Sequence, residues 1–558
     1  MGAHVARASE PRALVMAGRA PWGIVTAAVG VVVWLLVDPR TPDLAAQVYR
    51  ANLFSEAGLI VWDSRWYAGH PIPGYSLVFP PLGALLGVRT VGALAVLASA
   101  ALFERVALVA YGGAARWAAV WFALAALGDV WSGRITFALG VSFALGAVLA
   151  LMRRHAFAAA LLAAVCAACS PVAGVLLALA ALTHTVVTRS PRALLVLGVP
   201  AVAVAAALAG LFGEGGWEPF PLLSFIATAA VVVGFLVALP RKRGLLWVGG
   251  WVYAAACVAC VAVHSPMGAN VERYGVLLAG PLLLCAVLSG DRGAAVPSGG
   301  EDSEAPRTGE RRPVAIAVVV AALAGIAVWT VWGPVRETAA VAGNPSTAAA
   351  YYAPVARYVA GVEARTGQPV RVEVPFTRSH WEAAWLAPKV MLARGWEKQL
   401  DERYDGVLLA KHLTAAAYRR WLDAEAIAYV ALPDAPLDPS SAAEGRLIAA
   451  GLPYLRLVLH TRHWRIYAVR DPTPLARGPG ALTGVGHDWF AIRARTAGRF
   501  VVRLRYTRYF TVVVGAGCVA RGPGGFTEVS AARPGTLRVQ ARFSLARALG
   551  LAGRSCRA

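Results

Sequence analysis

Lysine is nearly absent from this chain. Only Lys242, Lys389, Lys398 and Lys411 carry a side-chain ammonium group, and every other residue counted in the positive charge is an arginine. Charge of either sign is scarce too, at 15% of 558 residues, where a soluble domain carries about a quarter. With 58% hydrophobic residues and a mean hydropathy of +0.58, that scarcity argues against a soluble enzyme. No basic cluster is interleaved with aromatics, so nucleic acid is not an expected partner. There is no clear internal repeat and no acid in the middle of a span, features of many secondary transporters; Arg89 and Glu104-Arg105 come nearest. No small-x-small cleavage site follows the first apolar block, which runs into Asp38-Pro39-Arg40. The start of the chain, with Arg7, Arg12 and Arg19, therefore reads as the flank of an uncleaved span.

What is present is a series of apolar blocks, many of the ~17–25 residues that a hydrocarbon core of roughly 30 Å demands of a helix. They predict an α-helical polytopic membrane protein with about eleven spans: Trp22–Val37, Thr90–Val109, Ala114–Leu127, Phe137–Met152, Ala156–Ala168, Pro171–Val187, Ala193–Phe212, Leu222–Leu239, Leu245–Val263, Val276–Leu288 and Val314–Trp332. The fifth and sixth can equally be a short hairpin turning at Ser170-Pro171. Arginines gather at 153–154, 189/192, 241–243 and 307–312, which places these loops and the N-terminus in the cytoplasm. The odd span count then puts everything after Gly333 outside.

Three regions are expected: a transmembrane part over 1–333, an α/β unit over 334–477, and a β-sandwich-like unit over 478–558. Within the first, 38–75 forms an external loop and 290–312 a polar cytoplasmic linker. Helix and strand patterns alternate from Tyr351 to Val469, and only strand patterns with Gly/Pro turns follow. Of seven cysteines, Cys166, Cys169, Cys257, Cys260 and Cys285 lie in spans and read as packing residues. Cys518 and Cys556 fall in the C-terminal region and, if it lies outside, are candidates for a disulfide.

The expected topology gathers polar residues on one side: Asp43, Asp63, Arg65, Trp66, Tyr67, His70, Arg134, Glu214, Glu218, Asn270, Glu272 and Arg273. Polar groups at a membrane boundary are costly, so a convergent set marks a candidate site. A carboxylate there can take a proton from a hydroxyl, arginines can hold a phosphate, and tryptophans can stack on a sugar or anchor at the interface. Each has a plainer reading. Thr41-Pro42-Asp43 is a good helix start, Asp63 can pair with Arg65, and Arg378-Ser-His380-Trp381-Glu382 can be a local surface network.

Asp43, Trp62, Trp66, Gly69-x-Pro71, Tyr75 and Phe79-Pro80-Pro81-Leu82 together resemble the first external loop of a bacterial membrane family labelled as related to pyruvoyl-tetrahydropterin synthase. That family is similar to the GT-C superfamily of polyprenyl-phosphate-sugar-dependent glycosyltransferases. Ser132-Gly133-Arg134-x-x-Phe137-x-x-Gly140 and Asn270-x-x-Arg273 resemble actinobacterial members. The resemblance covers Trp22 to about Leu288. It implies a sugar transfer from a polyprenyl-phosphate donor to an envelope glycan or glycolipid at the outer face of the plasma membrane. Asp43, or else Asp63, would be the base, and Arg134 and Arg273 the phosphate ligands. Many GT-C enzymes carry two adjacent acids where this chain has Pro42-Asp43-Leu44. A flippase of envelope lipids and a non-catalytic scaffold remain as alternatives. No ligand spacing demands a metal, although a loop carboxylate can hold a divalent ion near a phosphate.

Overall fold

The computed structural model describes residues 21–240, 244–289, 311–551 and 556. The expected basic start, the 241–243 cluster and nearly all of the 290–312 linker lie outside the described residues. Each of the eleven expected spans falls on an apolar helix. In chain order, α1 is Trp22–Val37, and the loop helices α2 (Pro42–Ala57) and α3 (Phe79–Leu86) follow it. Then come α4 (Val88–Tyr111), α5 (Ala115–Trp131), α6 (Ile135–Met152), α7 (Ala156–Cys169), α8 (Pro171–Thr188) and α9 (Val199–Phe212). The set closes with α10 (Leu222–Ala238), α11 (Leu245–Ala262), α12 (Glu272–Ser289) and α13 (Arg311–Val341). The chain is a multi-pass membrane protein. By length and composition seven described segments can cross a bilayer, one of them the 44 residues of α4 and α5 together, while α7 and α10 are shorter. A straight helix of that length would be about 66 Å long, twice the hydrocarbon core. Instead α4 and α5 pack side by side across the turn at Gly112, making two crossings.

Several polar residues of these helices have structural partners. Arg89, at the start of α4, pairs with Asp38 at 2.5 Å and lies over the Trp34 ring. Glu104 sits beside the start of α1, where its carboxylate accepts from Gly23 N–H at 3.2 Å. An anion at a helix N-terminus is favoured by the unpaired amides and the dipole there, so Glu104 needs no transport role to account for it. Ser170 caps α8, accepting from Ala173 N–H, and Pro171 at the first position starts the new helix. Thus α7 and α8 form a hairpin.

The C-terminal region sits on the face where α1 ends and α4 begins. After α14 (Ala349–Thr366), a five-stranded sheet runs in the order 391–392, 371–373, 427–433, 464–469, 455–460. Its first three strands are parallel and the remaining pairings antiparallel. Helices Ala415–Ala424 and Ala442–Ala449 belong to the same unit. Two four-stranded antiparallel sheets follow and pack Phe490, Ile492, Phe500, Val502, Val529, Leu537 and Val539 between them, the α/β-then-sandwich order expected. Strands 455–460, 517–521 and 526–531 were not anticipated, nor were the shorter 391–392 and 476–477 or the strand 480–485. The first has no buried residue, and glycine and cysteine interrupt the apolar alternation of the second. Cys518 and Cys556 are disulfide-bonded, with Cα atoms 5.2 Å apart.

This region is joined tightly to the first loop. Trp381 and Trp396 donate their indole N–H groups to the carbonyls of Arg40 and Pro42. Ser64 N–H reaches His487 O at 2.7 Å, and Arg505 N–H reaches Ala68 O at 2.8 Å. At the centre, the Arg50 guanidinium of α2 pairs with Glu397, both side chains being almost wholly removed from solvent. Breaking such a pair leaves one uncompensated charge. Arg50→Ala is therefore expected to cost about 3–5 kcal/mol, read as a lowered thermal midpoint in detergent. Adding Glu397→Gln should restore most of it, and an unchanged midpoint in Arg50→Ala would deny the pair this weight.

Candidate active site

Helix α2 begins at Pro42, whose fixed φ suits a first helical position. Thr41 does not cap it with its side chain; its hydroxyl donates instead to Trp131 O at 2.9 Å, tying this start to the end of α5. Gly133 lies in the turn between α5 and α6 with φ +84°, and a Cβ there would sit 2.3 Å from Leu44 N. Only glycine lets the two backbones meet so closely, and the result is to set Asp43 beside Arg134.

Arg134 bridges two carboxylates. Its Nε donates to Asp43 Oδ2 at 3.1 Å and its Nη2 to Glu337 Oε1 at 3.3 Å, near the end of α13. Asp43 Oδ1 makes no hydrogen bond among the described residues, and the side chain is 24% exposed. Asp129, buried in the last turn of α5, lies within electrostatic reach of Arg134, Arg273 and Asp43. Arg273, at the start of α12, stacks on the Phe137 ring, 5.3 Å from its centroid, and has no ion pair among the described residues. Its charge is felt by Asp43, Tyr75, Asp129 and Glu218. Glu218, in the loop before α10, completes the group with Lys398 and Glu402 of the C-terminal region. Burial pushes its carboxyl up to about 7, against the pull of Lys398 and Arg273. The result is a polar cleft at the membrane boundary with one free carboxylate oxygen and an uncommitted guanidinium.

The other expected site residues do not open onto this cleft. Asp63 is fully buried and accepts from Tyr49 Oη at 2.7 Å and Arg65 N–H at 3.2 Å, with His487 Nδ1 3.0 Å away. Burial alone would raise its pKa, and the hydrogen bond with His487 holds it below the ordinary value. With its oxygens so engaged, Asp63 fits a structural part rather than that of a base. Arg65 meets it through the backbone amide only. Trp66 is stacked between Tyr49, at 4.3 Å, and His70, at 5.3 Å, and leaves no face for a sugar. Tyr67 is buried, donating to Asp401 Oδ1 at 3.1 Å and accepting from Glu397 N–H at 2.9 Å. His70 is buried 3.9 Å from Glu397, and desolvation lowers its pKa, so it stays neutral. Glu214 lies against the same Glu397 carboxylate; burial and that charge hold its own proton on. Asn270 turns back to Pro266 O at 3.3 Å. The aromatic loop thus forms the joint between the membrane part and the C-terminal region.

Asp129 and Glu337 were missed as site residues. Each is an acid at the end of an apolar helix, and the cost of a charge in that position is the signal that marks them. Among the described residues, no group of three or more His, Cys, Asp or Glu side chains is placed to hold a metal ion.

No family model matches the chain, including the synthase-related label, and no curated protein matches. Among solved structures, the mycobacterial arabinofuranosyltransferase AftD aligns over 82% of this chain and 40% of its own, with 19% identity and a TM-score of 0.48. Its R1389S mutant aligns over 95% of this chain and 42% of its own, at 16% identity and 0.43. ArnT from Cupriavidus metallidurans, bound to undecaprenyl phosphate, aligns over 80% of this chain and 98% of its own, at 16% and 0.43. This chain thus spans less than half the length of the mycobacterial protein. Likenesses at these scores leave function to be argued from the cleft itself.

Two outcomes follow from the geometry. Asp63→Asn should lower stability by about 1–3 kcal/mol while leaving turnover per folded molecule unchanged; a selective loss of turnover would return Asp63 to the chemistry. Glu218 holds its proton between its ordinary 4.5 and about 7, where the unfolded chain has released it. Stability should therefore fall as pH rises through that window. An infrared carboxyl band that disappears near pH 7, and is missing from Glu218→Gln, would report the titration; a band lost near pH 4.5 would contradict it.

Proposed function

We propose that this chain is an inverting glycosyltransferase. It moves a sugar from a polyprenyl-phosphate donor to an envelope glycan or glycolipid at the outer face of the plasma membrane, with the N-terminus in the cytoplasm. The observation that carries this reading is the pairing of Asp43, whose Oδ2 is held by Arg134 while Oδ1 has no partner among the described residues, with Arg273, which makes no ion pair among them, across the same cleft. The acceptor hydroxyl gives its proton to Asp43 Oδ1 as its oxygen bonds to the anomeric carbon. The bond from that carbon to the phosphate oxygen breaks, and the electron pair leaves with the lipid phosphate. Arg273 and the remaining Nη1 of Arg134 stabilise that developing charge. The single acid suffices for this step, because Arg134 holds Oδ2 of Asp43 and so orients the carboxylate with Oδ1 towards the acceptor. The disulfide at Cys518 and Cys556 supports an oxidising compartment for the C-terminal region, which would receive the acceptor.

Membranes bearing the protein, given radiolabelled polyprenyl-phosphate sugars and a crude envelope acceptor, should show transfer that falls by about 10²–10⁴-fold in Asp43→Asn at equal expression. Full activity in that variant would remove Asp43 from the mechanism. A folded chain that transfers no sugar from any donor would overturn the reading.

A further inference from the structure

A large cavity lies away from this cleft, between α4, α6, α8, α10, α11 and α12, in the half of the membrane opposite the C-terminal region. Its volume is about 600 Å³ and its shaft is apolar, walled by residues such as Phe103, Leu145, Leu177 and Phe235. The π-helical turn at Leu194–Gly198 contributes Leu197 to the lining, and α11 contributes Gly249 and Gly250. From Tyr274 to Leu282 the α12 wall is about 12 Å long at 1.5 Å per residue, close to the hydrocarbon depth of one leaflet, roughly 15 Å.

The two ends differ in chemistry. Towards the cleft, Tyr253 and Tyr274 close the cavity with ring centroids 5.4 Å apart, and Tyr253 Oη is committed to Val271 O at 3.1 Å. At the far end the lining turns polar, with Thr183, His184, Ser190 and Arg192 on the turn from α8 towards α9. Arg192 is exposed and has no carboxylate partner among the described residues. Arg153, Arg154 and Arg189 lie at the same ends of their helices.

We infer that this cavity holds one anionic phospholipid from the leaflet opposite the C-terminal region. The head-group phosphate sits at Arg192 and His184, and the acyl chains fill the apolar shaft. A guanidinium without a carboxylate partner offers a fork of donors suited to a phosphate. Arginines on that face enrich anionic lipid around it, and an apolar shaft one leaflet deep gains by taking acyl chain. The site is independent of the proposed transfer reaction. The tyrosine pair separates it from Arg273, and its cation lies at the opposite membrane face from the cleft.

The test uses the full chain in nanodiscs of mixed phosphatidylglycerol and phosphatidylcholine, with retained lipid identified by native mass spectrometry. The wild type should keep one phosphatidylglycerol. Arg192→Ala should weaken retention about tenfold, and Arg192→Lys should keep much of it. Ala180→Phe, which fills the shaft, should lower retention with the charge intact, so a folding failure in one variant leaves the other informative. Equal retention of the two phospholipids, retention unchanged by Arg192→Ala, or a co-purifying polyprenyl phosphate in the cavity would each overturn the proposal.

Discussion

The arrangement turns on one desolvated ion pair, Arg50 with Glu397. Two charges taken out of water are tolerable only when each satisfies the other. Several groups pack around this pair, while Arg50 Nε and Nη1 and both ring nitrogens of His70 are buried with no hydrogen-bond partner among the described residues. Glu214 lies against the same carboxylate, Tyr67 bonds the Glu397 backbone, and Trp66 packs under the Arg50 guanidinium. Arg50 also covers Tyr75, whose ring borders the cleft. The contacts that weld the C-terminal region to the first loop therefore also define one wall of the cleft. A C-terminal region free to move would lose the positions of Lys398 and Glu402 beside Glu218.

The cleft depends on a second constraint, the close approach of two backbones at Gly133 and Leu44. It brings the start of α2 against the end of a membrane helix, and Arg134 then spans the carboxylates on either side. Arg273 makes no ion pair among the described residues, although Asp43, Asp129 and Glu218 lie within reach of its charge. The same pattern recurs at the other membrane face, where Arg192 has no carboxylate partner among the described residues. In a chain with so few acids, unpaired arginines are an expected consequence of composition, and they stand where an anionic group can approach from the lipid.

Much of the architecture was legible from periodicity and composition. The eleven blocks became eleven helices because a run of apolar side chains flanked by polar loops has one stable solution in lipid, a helix with its backbone bonds satisfied internally. The strand at Trp464–Val469 was readable from side-chain alternation. Asp43, Arg134 and Arg273, far apart in the chain, were grouped from topology; Asp43 and Arg134 pair, and Arg273 lies within electrostatic reach of both. The grouping failed for Arg65, Trp66, Tyr67 and His70. Their residue types suit sugar and phosphate as well as they suit a packed joint, and spacing along a loop does not say which face is covered.

The sequence by itself determined the class of molecule, the number and order of its membrane helices, and the change to strands after them. These follow from local periodicity and from the length of a bilayer crossing, which neighbouring residues specify. Only the tertiary structure decided which polar residues were structural and which were left open. Asp63 and Asp43 are both acids of one loop, yet the first is enclosed by Tyr49 and His487 and the second keeps an oxygen free. That difference is made by residues up to 424 positions away. Burial and hydrogen-bond saturation depend on what packs around a group, and no pattern of nearby residues carries that information.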